Sequence, residues 1–265
     1  MKSLSTEQKI YYTLRITAAM CFIGHGAFGI ITKSIWCNYF DVFGIGTDMA
    51  YHLMPVLGSA DIILGFILLV YPLPATALWL VIWSLITAAL RPLSGESYGE
   101  FFERAGNFGA PLALLLLCGT KQGIWSWFQK ITPPLTVPAN RLKNVQISLR
   151  ISAFLLLGGH GWLNLIGKKG LIGQYTSLGF HDAHQVALTA GLFELAAALL
   201  LLIRPSRPLL LLFLIWKMST ELFYPHYEIF EWVERGGSYG VLLALWFSLL
   251  PVTSSLQVNS SPIAA

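Results

Sequence analysis

Two stretches of the chain, LRITAAMCFIGHG at residues 14–26 and LRISAFLLLGGHG at residues 149–161, are nearly the same sequence. In each, an arginine precedes an apolar run, and a histidine stands between two glycines at its end. Runs of this kind cross much of a bilayer as helices, because a helix rises about 1.5 Å per residue. The repeated pattern predicts a helical membrane protein built from two copies of one unit.

The composition of the chain excludes an ordinary soluble globule. Of its 265 residues, 55% are hydrophobic and only 11% are charged, and the mean hydropathy is +0.64. So little charge does not cover the surface of a soluble domain of this size. The formal net charge of +4 comes from basic residues that lie between apolar runs, as topology determinants do. We therefore predict that the partner of this protein is the lipid bilayer and not a nucleic acid.

Eight apolar stretches are candidates for membrane-spanning helices. They cover residues 14–31, 53–71, 74–90, 105–119, 148–166, 186–203, 208–223 and 237–251. Pro72 and Pro74, and likewise Pro205 and Pro208, lie in short connections where one helix ends and another begins. The sequence thus predicts an all-α integral membrane protein with eight transmembrane helices.

A polar segment separates the two groups of four stretches. The sequence TKQGIWSWFQKITPPLTVPANRLKNVQ is rich in proline and carries tryptophans of the kind that favour membrane interfaces. We predict a first four-helix repeat over residues 1–125, an interfacial linker over 126–147 and a second four-helix repeat over 148–265.

The two halves align over most of their length with two small shifts. The matching pairs are Arg15 with Arg150, His25 with His160, Lys33 with Lys168, Gly58 with Gly191, Asp61 with Glu194, and Trp83 with Trp216. EFFERAGNFG, from Glu100, also matches EWVERGGSYG, from Glu231. This ordered series indicates an internal duplication. Because each repeat has an even number of helices, both enter the membrane from the same side, which predicts two parallel four-helix bundles.

These motifs resemble the DoxX-like superfamily of membrane proteins. The first part of the pattern is carried by LRITAAMCFIGHGAFGIITK and LRISAFLLLGGHGWLNLIGK, and the second by GSADIILGFILL and GLFELAAALLLL. The resemblance implies a tandem duplication of that superfamily's four-helix unit. Members are similar to membrane subunits of thiosulfate:quinone oxidoreductases, and many have no known activity. The resemblance therefore implies a redox-associated membrane subunit.

The distribution of lysine and arginine favours a cytoplasmic N-terminus. With an even number of spans, both termini then lie in the cytoplasm, and we expect a bacterial inner membrane. In this orientation the ionisable residues within the apolar stretches all fall in the outer half of the membrane. Such residues are costly in hydrocarbon and usually face a bundle interior or a water-filled cavity, so this layer is the predicted functional site.

The second half keeps more polar residues in this layer than the first. Where it has Glu194, Lys217 and Glu221, the first half has Asp61, Ser84 and Ala88. We therefore place the site in the second half. The predicted catalytic residues are His160, Glu194, Lys217 and Glu221, the predicted cofactor-binding residues are His25, His160, Trp83 and Trp216, and no separate metal site is predicted.

Several roles remain open for the two histidines. Each could hydrogen-bond to Asp61 or Glu194 of its own half and serve packing alone. Both could ligate one haem from opposite faces, or bind a metal with a carboxylate. Each could also exchange a proton with a bound quinone.

Three functions follow from these alternatives. The chain is predicted to be a quinone- or haem-linked subunit, such as the membrane part of a quinone-linked oxidoreductase that works with other membrane or redox subunits. The alternatives are a transporter of protons or a small solute, and a structural or assembly subunit of a larger membrane complex.

Overall fold

The computed structural model describes residues 4–119, 123–224 and 229–250, and these residues form helices and connecting segments without a β-strand. The helices of the first half are α1 Thr6–Ile30, α2 Cys37–Asp41, α3 Thr47–Val70, α4 Pro74–Leu93, α5 Tyr98–Glu103 and α6 Ala105–Cys118. Those of the second half are α7 Ala139–Leu165, α8 Lys169–Ser177, α9 Ala183–Ile203, α10 Arg207–Leu222, α11 Ile229–Glu234 and α12 Gly236–Ser248. Two short 3₁₀ segments cover Ser34–Trp36 and Ile124–Phe128.

Among the described residues, four helices are long and apolar enough to cross a membrane, namely α1, α3, α4 and α9. A fifth span results if α7 and α8 count as one, although they are bent by 79° at their junction. The other three apolar stretches form α6, α10 and α12, which have 14, 16 and 13 residues. The helical class and the presence of membrane-spanning helices agree with the sequence prediction.

Two helices begin well before the apolar stretches that predict them. A capping box between Ser5 and Gln8 starts α1, so that its first turns are polar. Similarly, α7 begins at Ala139 after Pro138, inside the segment assigned to the linker. Hydropathy detects only the apolar part of a helix, whereas Gln, Lys and Arg continue a helix without adding to that signal.

The packing of the helices interleaves the two halves. α1 packs on α3 of its own half and on α11 and α12 of the other half. In the same way, α7 packs on α9 and on α5 and α6. α6 and α12 contact each other, and fully buried side chains such as Leu14, Leu114, Leu149 and Leu245 belong to one apolar core shared by both halves.

An arginine at the start of each repeated motif binds the end of a neighbouring helix. Arg15 donates from Nε to the carbonyl oxygen of Leu68 at 3.0 Å and also donates to Leu69, in the last turn of α3. Arg150 donates to Leu202 and, at 3.0 Å, to Ile203, at the end of α9. These carbonyl groups have no partner within their own helix, and a cation suits the negative end of the helix dipole.

Candidate functional site

The glycines on either side of each histidine admit two different helices. A Cβ atom at Gly24 would overlap the backbone nitrogen of Glu234 in α11, and one at Gly26 would lie 2.5 Å from the carbonyl oxygen of Gly58 in α3. Each imidazole is thereby placed between two helices at close range. The space that side chains at Gly24 and Gly26 would occupy is filled by protein backbone.

The same arrangement surrounds the second histidine. A Cβ at Gly159 would overlap the backbone nitrogen of Glu103 in α5, and one at Gly161 would lie 2.9 Å from the carbonyl oxygen of Gly191 in α9. Gly158, the residue before this pair, has open space where a side chain would go. Packing therefore requires the two glycines that flank the histidine but not Gly158.

His25 lies between two carboxylates. Its Nδ1 is 2.9 Å from Oε1 of Glu234, and its Nε2 is 3.8 Å from Oδ2 of Asp61. The ring also stacks on Trp36, with ring centroids 4.6 Å apart. Asp61 comes from the same half of the chain and Glu234 from the other half, so both halves build this site.

His160 has the matching pair of partners. Its Nδ1 is 2.6 Å from Oε2 of Glu194, and its Nε2 is 3.9 Å from Oε1 of Glu103. Glu194 also accepts a hydrogen bond from Asn164 at 3.2 Å, and Asn164 in turn accepts one from Tyr175 at 2.9 Å. The surroundings of this histidine are filled by side chains that the first half does not have at the aligned positions.

The two predicted tryptophans hold the carboxylates rather than the histidines. Trp83 donates from Nε1 to Asp61 at 3.2 Å, and Trp216 donates from Nε1 to Glu194 at 2.8 Å. In the second half, His160, Glu194 and Trp216 thus form one hydrogen-bonded group, whereas in the first half Trp83 bonds to Asp61 and His25 lies 3.8 Å from it. The structure brings together His25 with Trp83, and His160 with Trp216.

A layer of ion pairs surrounds both groups and crosses between the halves. Lys33 is 3.0 Å from Glu231, and Lys168 is 2.7 Å from Glu100. Two buried arginines lie at the breaks between α5 and α6 and between α11 and α12. Arg104 is 2.8 Å from Glu100 and 3.4 Å from Glu103. Arg235 is 3.4 Å from Glu231, 3.5 Å from Glu221 and 3.8 Å from Glu103.

These cations keep the acids of α5 and α11 ionised. Burial alone would raise the pKa of Glu103, but the positive charges of Arg235 and Lys168 outweigh burial and hold the pKa well below its usual range. Burial opposes ionisation of Glu234 as well, and the hydrogen bond from His25 lowers its pKa below the ordinary value. Both carboxylates are therefore charged partners at neutral pH.

The predicted catalytic residues of the second half are closely packed. Lys217 Nζ lies 2.6 Å from Oε1 of Glu221, as their spacing of four residues on one helix predicts. His160, Glu194, Lys217 and Glu221 are all buried, and each faces an oppositely charged partner.

A cavity of about 310 Å³ lies instead on the first half of the chain. Its polar lining residues are His25, Tyr39, Asp61, Thr87, Arg91, Arg104, Asn107 and Glu234. Its other lining residues are apolar or aromatic, namely Trp36, Phe40, Phe43, Ile45, Leu53, Val56, Leu57, Trp83, Ile86 and Leu90. An apolar pocket with a few convergent polar groups is the usual form of a small-molecule site. Of the predicted site residues, His25 and Trp83 line this cavity, and the four predicted catalytic residues do not.

Two polar side chains in this cavity are open to a ligand. The side chain of His25 is 18% exposed, compared with 5% for His160. Asn107 is 8% exposed, and its Oδ1 atom has no hydrogen-bond partner among the described residues. Buried polar atoms are nearly always satisfied, so an unpaired amide at a cavity wall indicates a hydrogen bond to a ligand or water.

Sequence reasoning missed several residues of this cavity. Trp36 and Tyr39 lie in the 3₁₀ segment and α2, between the first two long helices, and Asn107 lies in α6. Trp36 and Tyr39 belong to the aromatic stretch SIWCNYF, which has no counterpart in the second half and was the available signal.

One group of side chains in the second half has the geometry of a metal site. Ligand atoms of Glu103, His160 and Glu221 lie within 4.8 Å of one another, and all three residues are buried. However, Glu221 already faces Lys217, and both carboxylates face Arg235. Two fixed cations at this position neutralise the carboxylates and repel a metal ion.

Comparisons of the chain with protein-family models, with curated proteins and with solved structures give no match. The DoxX-like resemblance is thus carried by its sequence motifs alone.

Proposed function

We propose that the chain is a quinone-binding, redox-associated membrane protein whose ligand occupies the cavity beside His25. The observation that carries this proposal is the combination of mainly apolar walls with His25, Asn107 and Arg104 in the same lining. A quinone offers a flat apolar ring that fits against Trp36 and Trp83, and two carbonyl oxygens that accept hydrogen bonds from donors such as His25. The hydroxyl groups of the reduced quinol can donate to the unpaired Oδ1 of Asn107.

The architecture proposed with this function is the one that the sequence predicts. Two parallel four-helix units, related by duplication and similar to the DoxX-like superfamily, span a bacterial inner membrane with both termini in the cytoplasm. The matched partners of His25 and His160, and of Arg15 and Arg150, support a duplication. In this arrangement the cavity lies in the outer half of the membrane.

The charges around His25 favour a protonated imidazole. Among the described residues, five carboxylates, Glu96, Glu100, Glu103, Glu221 and Glu231, form ion pairs with six permanent cations, Lys33, Arg91, Arg104, Lys168, Lys217 and Arg235. The ion pairs of Asp61 and Glu234 are with His25. Buried carboxylates without a cation are costly, so we infer that His25 carries a proton at rest.

A protonated His25 suits a proton donor to a bound quinone. Reduction of a quinone to a quinol takes up two electrons and two protons. An electron-donating partner subunit supplies the two electrons, His25 delivers one proton to a carbonyl oxygen of the quinone, and water supplies the second proton. Asp61 and Glu234 hold the imidazole in place and stabilise its charged form before transfer. His160 lacks an equivalent open face and stabilises the bundle.

The geometry favours a quinone over a haem held by both histidines. Axial ligation requires one ring nitrogen of each histidine to point at a shared iron. In the structure, both nitrogens of His25 and both nitrogens of His160 lie near carboxylates. Of the two histidines, only His25 lines the cavity, so the two do not face one shared space that could hold an iron.

Binding of a soluble benzoquinone to the purified protein tests the proposal. Quinones quench tryptophan fluorescence, and Trp36 and Trp83 line the cavity. We expect saturable quenching in the unmodified protein. His25→Gln should raise the apparent Kd for the quinone at least tenfold, whereas His184→Gln, in the first turn of α9, should leave this Kd unchanged. Absence of saturable quenching in the unmodified protein would reject the quinone and favour an assembly role. A Soret absorption band in the purified protein would favour haem.

A further inference from the structure

We propose that the ligand is a bilayer lipid with one uncharged ring-sized head and an apolar tail, and that it enters sideways between α3 and α4. This inference rests on the proposed function, since it specifies the ligand of the same cavity and its route. It makes His25 reachable from the hydrocarbon phase of the membrane.

The wall of the cavity between α3 and α4 is formed by side chains that are also exposed outside the bundle. Val56, on α3, is 63% exposed, and Ile86, on α4, is 40% exposed, yet both line the cavity. Both belong to apolar exposed faces, together with Ile63 and Phe66 on α3 and Ile82 on α4. Such faces contact lipid in a membrane, so the cavity opens towards lipid at this point.

The packing of the two helices leaves this side loosely closed. α3 packs mainly on α1, whereas α4 packs on α5 and α6, and the two helices make few contacts with each other. They are joined by the short connection Tyr71–Leu73 and by the hydrogen bond from Trp83 to Asp61. A ligand therefore passes between them without breaking a close helix interface.

The segment between α1 and α3 covers the cavity on another side. Trp36 stacks on His25, and Tyr39 donates from its hydroxyl to Glu96 at 2.6 Å. Arg91 is 3.2 Å from the same carboxylate and lies over the Tyr39 ring. Trp36 and Tyr39 are buried in this arrangement, which closes that side with ion pairs and stacked rings.

Volume and charge define the class of ligand. A cavity of about 310 Å³ is near the lower end of the range for small-molecule sites, roughly 300–1,000 Å³, so it holds a ring but not a long tail. The charged residues that line the cavity already have partners of opposite charge, because Asp61 and Glu234 face His25, and Arg91 and Arg104 face Glu96 and Glu100. A charged head would therefore lack a counter-ion. A neutral head that hydrogen-bonds to His25 and Asn107, with its tail in the bilayer between α3 and α4, meets both conditions.

The test compares two quinones in proteoliposomes, one with a decyl tail and one with no tail. The double variant Val56→Phe/Ile86→Phe narrows the proposed opening, and Thr189→Phe/Ser219→Phe makes the same change at the aligned, exposed positions of the second half. Rates of fluorescence quenching are measured by stopped flow for each quinone. We expect the ratio of the rate for the tailed quinone to that for the tailless quinone to fall at least tenfold in the first variant only.

Other results separate this inference from the function on which it rests. An unchanged ratio in Val56→Phe/Ile86→Phe overturns the lateral route while leaving quinone binding intact. An equal fall in Thr189→Phe/Ser219→Phe also overturns it, because the effect would not depend on the opening. If neither quinone binds the unmodified protein, the proposed function itself is rejected, and the inference with it.

Discussion

His25 and Glu234 are 209 positions apart in the chain, yet Nδ1 of the histidine lies 2.9 Å from Oε1 of the glutamate. In the corresponding contact, Nε2 of His160 in the second half lies 3.9 Å from Oε1 of Glu103 in the first half. Each half thus supplies a carboxylate to the histidine of the other. The two halves depend on each other for their most polar contacts.

We predict that the two histidines respond differently to the same substitution. His160→Ala leaves the fully buried Glu194 without its cation at 2.6 Å, a change that costs roughly 3 kcal/mol or more for a buried pair. His25→Ala costs less, because the cavity beside it admits water to Asp61 and Glu234. Thermal unfolding of both variants in detergent measures the two losses of stability. Equal losses would contradict the prediction that His160→Ala is the more destabilising change.

Two adjacent glycines provide a sharper test of the packing. A side chain at Gly159 meets the backbone of Glu103, whereas one at Gly158 meets nothing within 4 Å. Gly159→Ala should therefore lower the thermal midpoint by several degrees. Gly158→Ala should raise stability by about 0.5–1 kcal/mol, since alanine favours a helix over glycine. A loss of stability in both variants would show that helix packing at the motif is not as described.

The sequence predicted the helices and the polar layer better than the cavity. Periodic apolar runs and proline-marked connections identify helices because burial in lipid requires them. The layer followed from the depth of residues such as His25 and Glu194 in those runs. Which helices pack together was not predictable, because the alignment pairs Glu103 with Glu234 but does not tell which histidine each one meets.

The cavity lies in the half that the sequence comparison ranked second. The charged residues Lys217 and Glu221 led us to predict the site in the second half. Ser84 and Ala88, at the aligned positions, suggested that the first half is a structural scaffold. The structure places Lys217 and Glu221 against each other and against Arg235, and leaves open space in the other half. A sequence records which side chains are present, and a binding cavity depends on volume that none of them fills.

The pKa values of Glu103 and Glu234 predict a loss of stability in acid. A carboxyl group whose pKa is lower in the folded protein stabilises it above the unfolded pKa, about 4.3 for glutamate, and this contribution disappears as the pH falls. The thermal midpoint in detergent should decline below about pH 4.5. Glu234→Gln should make this decline shallower, and Glu7→Gln, at the opposite end of α1 from His25, should not alter it. A midpoint that is unchanged down to pH 3 would contradict the prediction.

The topology is tested by reporters fused at positions that the prediction places on opposite sides of the membrane. With eight spans and a cytoplasmic N-terminus, the connection around Ser206 and the C-terminal residues after 250, which lie outside the described residues, are both cytoplasmic. Fluorescent reporters fused after Ala265 should therefore be active, and periplasmic phosphatase reporters at the same position should be inactive. A phosphatase reporter inserted at Gly95, between α4 and α5, should be active. Activity of the phosphatase after Ala265 would reject the even number of spans.

The buried pair of Lys217 and Glu221 should show strong coupling in a double-mutant cycle. Lys217→Met alone leaves the Glu221 carboxylate buried with Arg235, 3.5 Å away, as its remaining cation, and Glu221→Leu alone leaves a buried ammonium group. Each single variant should therefore be markedly less stable than the original protein. The double variant replaces both charges with apolar groups of similar volume and should recover much of the loss, because Arg235 still faces Glu103 and Glu231. Thermal unfolding measures the four proteins, and we expect a coupling energy of about 1–3 kcal/mol. Additive effects on stability would mean that the pair does not interact in the folded protein. Loss of quinone binding in the double variant would mean that Lys217 and Glu221 belong to the functional site after all.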